Sequence, residues 1–194
     1  MKRTIILITV LLFLLGARSA ITDSNFHLDF KVDGSVSIPS GFFITPSIRA
    51  MYNIDTFGAG AEIKYSHNLN YNDSYILGFG LIEFGPFYSG LGFAGKLTDA
   101  HDPTGEYYFA TPQFDVNIAL TGGAVFKPIP LGAGKLGFNF GIDIYPSATP
   151  IPSSDVSSPS ELVGALFVQG IASGINSILN LIKLNLGVNY TVLF

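Results

Sequence analysis

Residues 182–194 alternate with a strict period. Ile182, Leu184, Leu186, Val188, Tyr190, Val192 and Phe194 hold the even positions, and Lys183, Asn185, Gly187, Asn189 and Thr191 stand between them. Successive side chains of a strand point to opposite faces, so a period of two makes a ribbon with one apolar and one polar side. Only Leu181 and Leu193 break the polar row, both near the ribbon's ends.

The same alternation recurs along the chain. Phe26, Leu28, Phe30, Val32, Val36 and Ile38 alternate with polar residues up to a tight turn at Pro39-Ser40-Gly41. Second and third strands follow, with Ile44, Ile48, Ala50, Tyr52 and Ile54, then Ala59, Ala61, Ile63 and Tyr65. Tyr75, Leu77, Phe79 and Leu81 make a fourth, and Phe87, Leu91, Phe93 and Leu97 a fifth after Gly85-Pro86. Residues 98–106 read as an acidic loop. A sixth strand carries Tyr108, Phe114, Val116, Ile118 and Leu120 and gives way to a segment holding Pro128 and Pro130. The seventh carries Leu136, Phe138, Phe140, Ile142 and Ile144, and the ribbon at 182–194 is the eighth. Eight antiparallel strands form the smallest barrel that spans an outer membrane, so the expected fold is an all-β, eight-stranded transmembrane barrel. An even strand count puts both ends of the barrel on the periplasmic side.

The first twenty residues supply a compartment. Lys2 and Arg3 precede an apolar run from Ile5 to Leu15, and Gly16-Ala17-Arg18-Ser19-Ala20 offers small residues for cleavage, so 1–20 reads as a signal peptide and 21–194 as the barrel. Lys2, Arg3 and Arg18 leave with the leader, so seven of the ten basic residues remain against fourteen acidic ones. That balance excludes the basic face a nucleic acid requires. Cysteine is absent, which removes disulfides, thiol nucleophiles and cysteine metal sites. A chain that is 48% hydrophobic and 12% charged is unusual for a soluble exported domain.

A soluble eight-stranded lipocalin-like barrel is the rival, and charge placement separates the two. Parity sets Asp29, Lys31, Arg49, Glu62, Lys64, Asp115, Lys135, Asp143 and Lys183 opposite the aromatic rows. Aromatic rows turned inward would overfill a small lumen, whereas turned outward they meet lipid and leave the charges to pair inside. Phe30, Ile48, Phe79, Phe93, Phe140 and Leu186 are therefore expected to face lipid. Mixed signs favour a lumen filled by a salt-bridge network over a selectivity ring of one sign.

Catalytic chemistry is not visible. His27, His67 and His101 are scattered, no nucleophile has a positioned base and third partner, and no metal or cofactor fingerprint stands out, so neither an enzyme nor a cofactor is expected. The outer mouth is more informative. Phe43, Ile76, Tyr107, Phe109, Tyr145 and Leu181 are expected to line an apolar upper lumen able to hold a small apolar ligand. Pro46 and Pro112 each remove a ladder donor, and in the functional reading they mark a lateral opening in the wall. Ser158-Pro159-Ser160-Glu161 reads as a helix start. Residues 160–179 are expected to form a helix, uncharged from Leu162 to Leu179, with a polar stripe of Gln169, Ser173, Asn176 and Asn180, placed in the last outer loop as a lid over the mouth.

The terminal alternation, with Phe194 last and Tyr190 four residues earlier, resembles the closing strand of bacterial outer-membrane barrels. The resemblance implies that the assembly machinery reads these residues. In its architecture of eight strands, long outer loops, apolar upper lumen and proline-weakened wall, the chain resembles the OmpW family. Its tight first outer turn and lack of Trp depart from that family. The resemblance implies passive passage or binding of small apolar molecules, with lateral exit to the membrane. The alternative is a structural or adhesive surface protein whose barrel anchors loops that bind a host or surface ligand. Outer-membrane lipid and the assembly machinery are the implied partners, in the outer membrane of a diderm bacterium.

Overall fold

A computed structural model describes residues 25–38, 40–110, 112–152 and 178–194. The expected leader, and all but the last two residues of the expected helix at 160–179, lie outside the described residues.

Ten strands follow one another along the chain. They are β1 (Phe26–Ser37), β2 (Gly41–Ile54), β3 (Phe57–Asn68), β4 (Ser74–Phe84), β5 (Phe87–Thr98), β6 (Tyr107–Ala110), β7 (Val116–Leu131), β8 (Gly134–Ile144), β9 (Thr149–Pro152) and β10 (Ile182–Leu193). Eight of them close an antiparallel barrel in the order β1-β10-β8-β7-β5-β4-β3-β2. The seam between first and last strands is fully laddered, from His27↔Leu193 to Val36↔Leu184. β6 and β9 pair separately as a two-stranded sheet.

The two ends of the barrel differ. At the end that holds Phe26 and Phe194, the connections β2–β3, β4–β5 and β7–β8 are two-residue turns. Positive φ at Asp55 (54°), Gly85 (58°) and Gly132 (62°) makes these tight reversals possible, in the region that glycine and, among side-chain-bearing residues, Asp tolerate best. At the other end run the long connections, including those that carry β6 and β9.

Parity sorts most strands as the sequence predicts. Ile48, Phe93, Phe140 and Leu186 are exposed on the outer face, while Asp29, Arg49, Glu62 and Lys183 are buried inside. β4 is the exception and corrects an expectation. Tyr75, Leu77, Phe79 and Leu81 are buried inside the barrel, and Ile76 and Ile82 are exposed outside. Both faces of β4 are apolar, so alternation alone cannot orient it. Glu83 shares the odd parity of Phe79 and Leu81 and is itself buried, and the register Glu62↔Phe79 completes the orientation. The inner face of β5 leaves room for these rings: a Cβ on Gly90 would collide with the Leu81 side chain and the Gly80 carbonyl.

The sixth barrel strand is the second correction. It starts at Val116 and runs to Leu131, past the expected end. β5 pairs with β7 only as far as Phe87↔Ala124, so beyond Ala124 one edge of β7 has no partner strand and proline there costs no ladder bond on that side. On the other edge a register shift between Phe126 and Ile129 absorbs Lys127 and Pro128 as a bulge.

Candidate functional site

The inward residues of β1, β2, β3 and β10 are mostly polar, and those of β4 from Tyr75 to Leu81 and of β5 from Tyr88 to Ala94 mostly apolar. Long cations from the polar half therefore reach across and end on rings of the apolar half. Ladder register sets Asp29 opposite Arg49, Arg49 opposite Glu62, and Lys183 opposite Asp143. Glu62 is the common acceptor: Lys31 Nζ lies 3.0 Å, Arg49 Nη2 3.2 Å and Lys64 Nζ 3.7 Å from its carboxylate. Ser47 also donates to it, at 2.9 Å. Lys64 bridges onward to Asp143 at 2.7 Å, where Thr121 donates as well, at 2.6 Å.

Rings complete the coordination of these cations. The Arg49 guanidinium lies 3.9 Å from the Tyr88 ring centre, and Arg49 Nε and Nη1 have no hydrogen-bond partner among the described residues. Lys64 Nζ sits 5.2 Å from Phe79 and Lys183 Nζ 4.0 Å from Tyr145. Such contacts gain strength where water is excluded. Lys31, Arg49, Glu62, Lys64 and Lys183 are each no more than 2% exposed, so solvent does not reach the middle of the lumen.

Two members of the expected charge network lie elsewhere. Asp115 precedes β7, is exposed, and stands 3.7 Å from Lys96 Nζ near the long-loop end; the late start of β7 puts it outside the lumen. Lys135 keeps the inward parity opposite Thr191, but at the second residue of β8 it is exposed at the rim.

The expected ligand group is also divided. Phe43 and Tyr145 are buried inside the upper barrel, where Tyr145 packs 5.3 Å from Tyr75 and its hydroxyl lies 2.8 Å from Ser66 Oγ. Ile76 is on the outer face, because β4 is turned over. Tyr107 and Phe109 belong to β6, outside the barrel wall, where both rings meet Tyr71 at 6.1 and 5.1 Å. Leu181 is half-buried just before β10, and its carbonyl accepts the Tyr145 N–H at 2.9 Å. Of the two expected wall prolines, Pro46 is exposed on β2, where the β2–β3 ladder omits Thr45 and Pro46. Pro112 lies between β6 and β7 and is no part of the wall. Tyr190 donates to the Leu131 carbonyl at 3.0 Å, and the Phe194 ring packs 6.0 Å from Phe26.

A polar clasp that the sequence does not reveal closes the mouth. Asn180 donates to the Ser147 and Ala148 carbonyls at 2.7 and 2.9 Å, and its side-chain oxygen accepts from Ser37, Ser40 and Ser147. Lys183 donates to the Tyr145 and Asn180 carbonyls. Asp73, in the β3–β4 loop, accepts the Ala148 N–H at 3.3 Å; burial pushes its carboxyl above the ordinary range, against the pull of that bond. These partners are separated by up to 143 residues, so no local signal announces them. Among the described residues no three His, Asp or Glu group as metal ligands. Compared with family models, curated proteins and solved structures, the chain matches none.

Proposed function

We propose that this chain is an outer-membrane barrel, exported behind a cleaved leader, whose sealed lumen makes it an anchor and whose long-loop end is the working surface. Its class is then a structural or adhesive surface protein, and its partner a host or neighbouring surface molecule. The observation that carries this reading is the packed lumen: a passage would have to break the Glu62 network and the Asn180 clasp together. The apolar outer face and the two-residue turns at one end support the membrane placement. Passage of small apolar molecules, the function implied by the OmpW-like resemblance, is the competing reading, and the filled upper barrel weighs against it. Phe194 and Tyr190 retain their proposed role as the assembly signal.

Reconstitution tests the choice. The full chain in planar bilayers is expected to give no unitary conductance, and cells that express it no gain in uptake of apolar probes. Steady conductance, or faster uptake, would overturn the anchor in favour of the conduit.

A further inference from the structure

The barrel wall is not uniform around its circumference. Between Ile44↔His67 and Ser47↔Lys64 the β2–β3 ladder omits two residues on each strand: Thr45 and Pro46, Tyr65 and Ser66. Proline has no N–H to give. Inside, the break is closed by Thr45, whose hydroxyl donates to Ser66 at 3.2 Å. Outside, it lies in a groove of about 590 Å³ lined by Phe30, Pro46, Ile48, Ile63, Tyr65 and Ile76.

Toward the long-loop end this apolar lining gives way to one polar cluster. Tyr65 donates its hydroxyl to Ser74 Oγ at 3.2 Å, and Ser74 Oγ lies 2.8 Å from His67 Nδ1. The His67 ring stacks parallel to Tyr65, with centroids 6.3 Å apart and 6° between planes. In the tautomer whose Nδ1 accepts from the Ser74 hydroxyl, the imidazole proton sits on Nε2. Among the described residues nothing hydrogen-bonds that nitrogen.

We infer that this groove holds a single membrane lipid, its acyl chain laid along Ile48, Ile63 and Ile76 and its ester carbonyl accepting from His67 Nε2. The inference rests on the membrane placement proposed above. An unfilled groove facing lipid forfeits dispersion contacts along its whole length, and at that depth acyl chains are the bodies available to fill it. A concave, apolar track with an imidazole at its end distinguishes a retained lipid from the passing annulus; a second hollow, of about 630 Å³ beside Ala59, Ile82 and Leu91, has no histidine in its lining. Both halves of the recognition come from ladder neighbours: Tyr65 lines the track and bonds Ser74, and Ile76 lies on the same outer face two residues from Ser74.

The chain has no native Trp, so one introduced indole reports alone. Val32 stands opposite Pro46 on β1 and marks the rim of the groove; Phe140, on β8, lies on the far side of the barrel. Full-length Val32→Trp and Phe140→Trp are purified in detergent, titrated with phospholipid brominated on its acyl chains, and also placed in vesicles of that lipid. In vesicles both indoles are expected to quench. In detergent Val32→Trp is expected to quench at roughly tenfold lower lipid than Phe140→Trp. Ala61→Phe, which fills the groove from its outer wall, should abolish that difference, and His67→Ala should reduce it. Equal titrations in detergent with quenching in vesicles overturn the lipid site and leave the membrane barrel standing. No quenching in vesicles overturns the membrane placement and the lipid site with it.

Discussion

Glu62 answers three cations, and its loss would leave Lys31, Arg49 and Lys64 facing one another with too little counter-charge. Removing one partner of a buried ion pair costs about 3–5 kcal/mol. Glu62→Ala should therefore lower the denaturant midpoint of the folded barrel by an equivalent amount, read by the mobility shift between folded and unfolded forms. A loss below ~1 kcal/mol, the scale of an exposed pair, would show that the network does not hold the lumen. Phe79 makes a second test at this scale. It is buried against Lys64, whereas Phe93 faces outward. In the cysteine-free chain, Phe93→Cys should react with a membrane-soluble maleimide and Phe79→Cys should not; the reverse pattern would turn the Phe79 side of β4 outward, as first expected. Most inward residues were legible, because a polar residue opposite an aromatic one has only one sensible face. Phe79 was not, because β4 offers apolar side chains on both faces. The informative residue was Glu83, the one charge on β4, which shares the inward parity of Phe79 and is buried.

At the scale of elements, the number of barrel strands was readable from the period, and strand ends and the added β6–β9 sheet were not. Pro128 and Pro130 signal a break when read along the chain, but β7 runs through them because its partner on one side has already ended. The β3–β4 loop offers a test of how the mouth is held. Asp73 is buried, and burial lifts its carboxyl above the ordinary range against the Ala148 N–H and the positive charges of Lys183 and Lys96. A carboxyl raised in the folded state contributes fully below its ordinary value, and that contribution is lost as pH rises through the raised one. Closure of the mouth should therefore be firmest in acid and loosen toward neutrality, seen as faster amide exchange at Ala148 after correction for intrinsic rates. Asp73→Asn keeps an acceptor for that N–H without the desolvated charge, so it should stabilise the barrel near neutral pH and flatten the pH dependence. A variant with unchanged pH dependence would assign the effect to another group.

Considered whole, the molecule is a barrel with a polar half and an apolar half that complete each other across the axis. The clasp at its mouth joins residues that no short-range pattern connects: Ser37 to Asn180, Ser40 to Ala148, Asp73 to Ala148. This is why the fold class was legible and the closed mouth was not. The added sheet can be tested at this scale. Tyr108 stands opposite Ile151, within reach of a disulfide across an antiparallel pair. Tyr108→Cys with Ile151→Cys should cross-link on oxidation without disturbing the barrel, and failure to link would remove the β6–β9 pairing.

That pairing has a mechanical consequence. β6 lies on the connection from β5 to β7 and β9 follows β8, and β5 and β8 are the two strands that flank β7. The chain thus closes a loop of hydrogen bonds around the outer end of β7, like a buckle across one stave of a cask. A tug on either excursion is shared among β5, β7 and β8. The load then runs along the strands and loads their ladders in shear, where many bonds must yield together, instead of peeling one strand from the wall bond by bond.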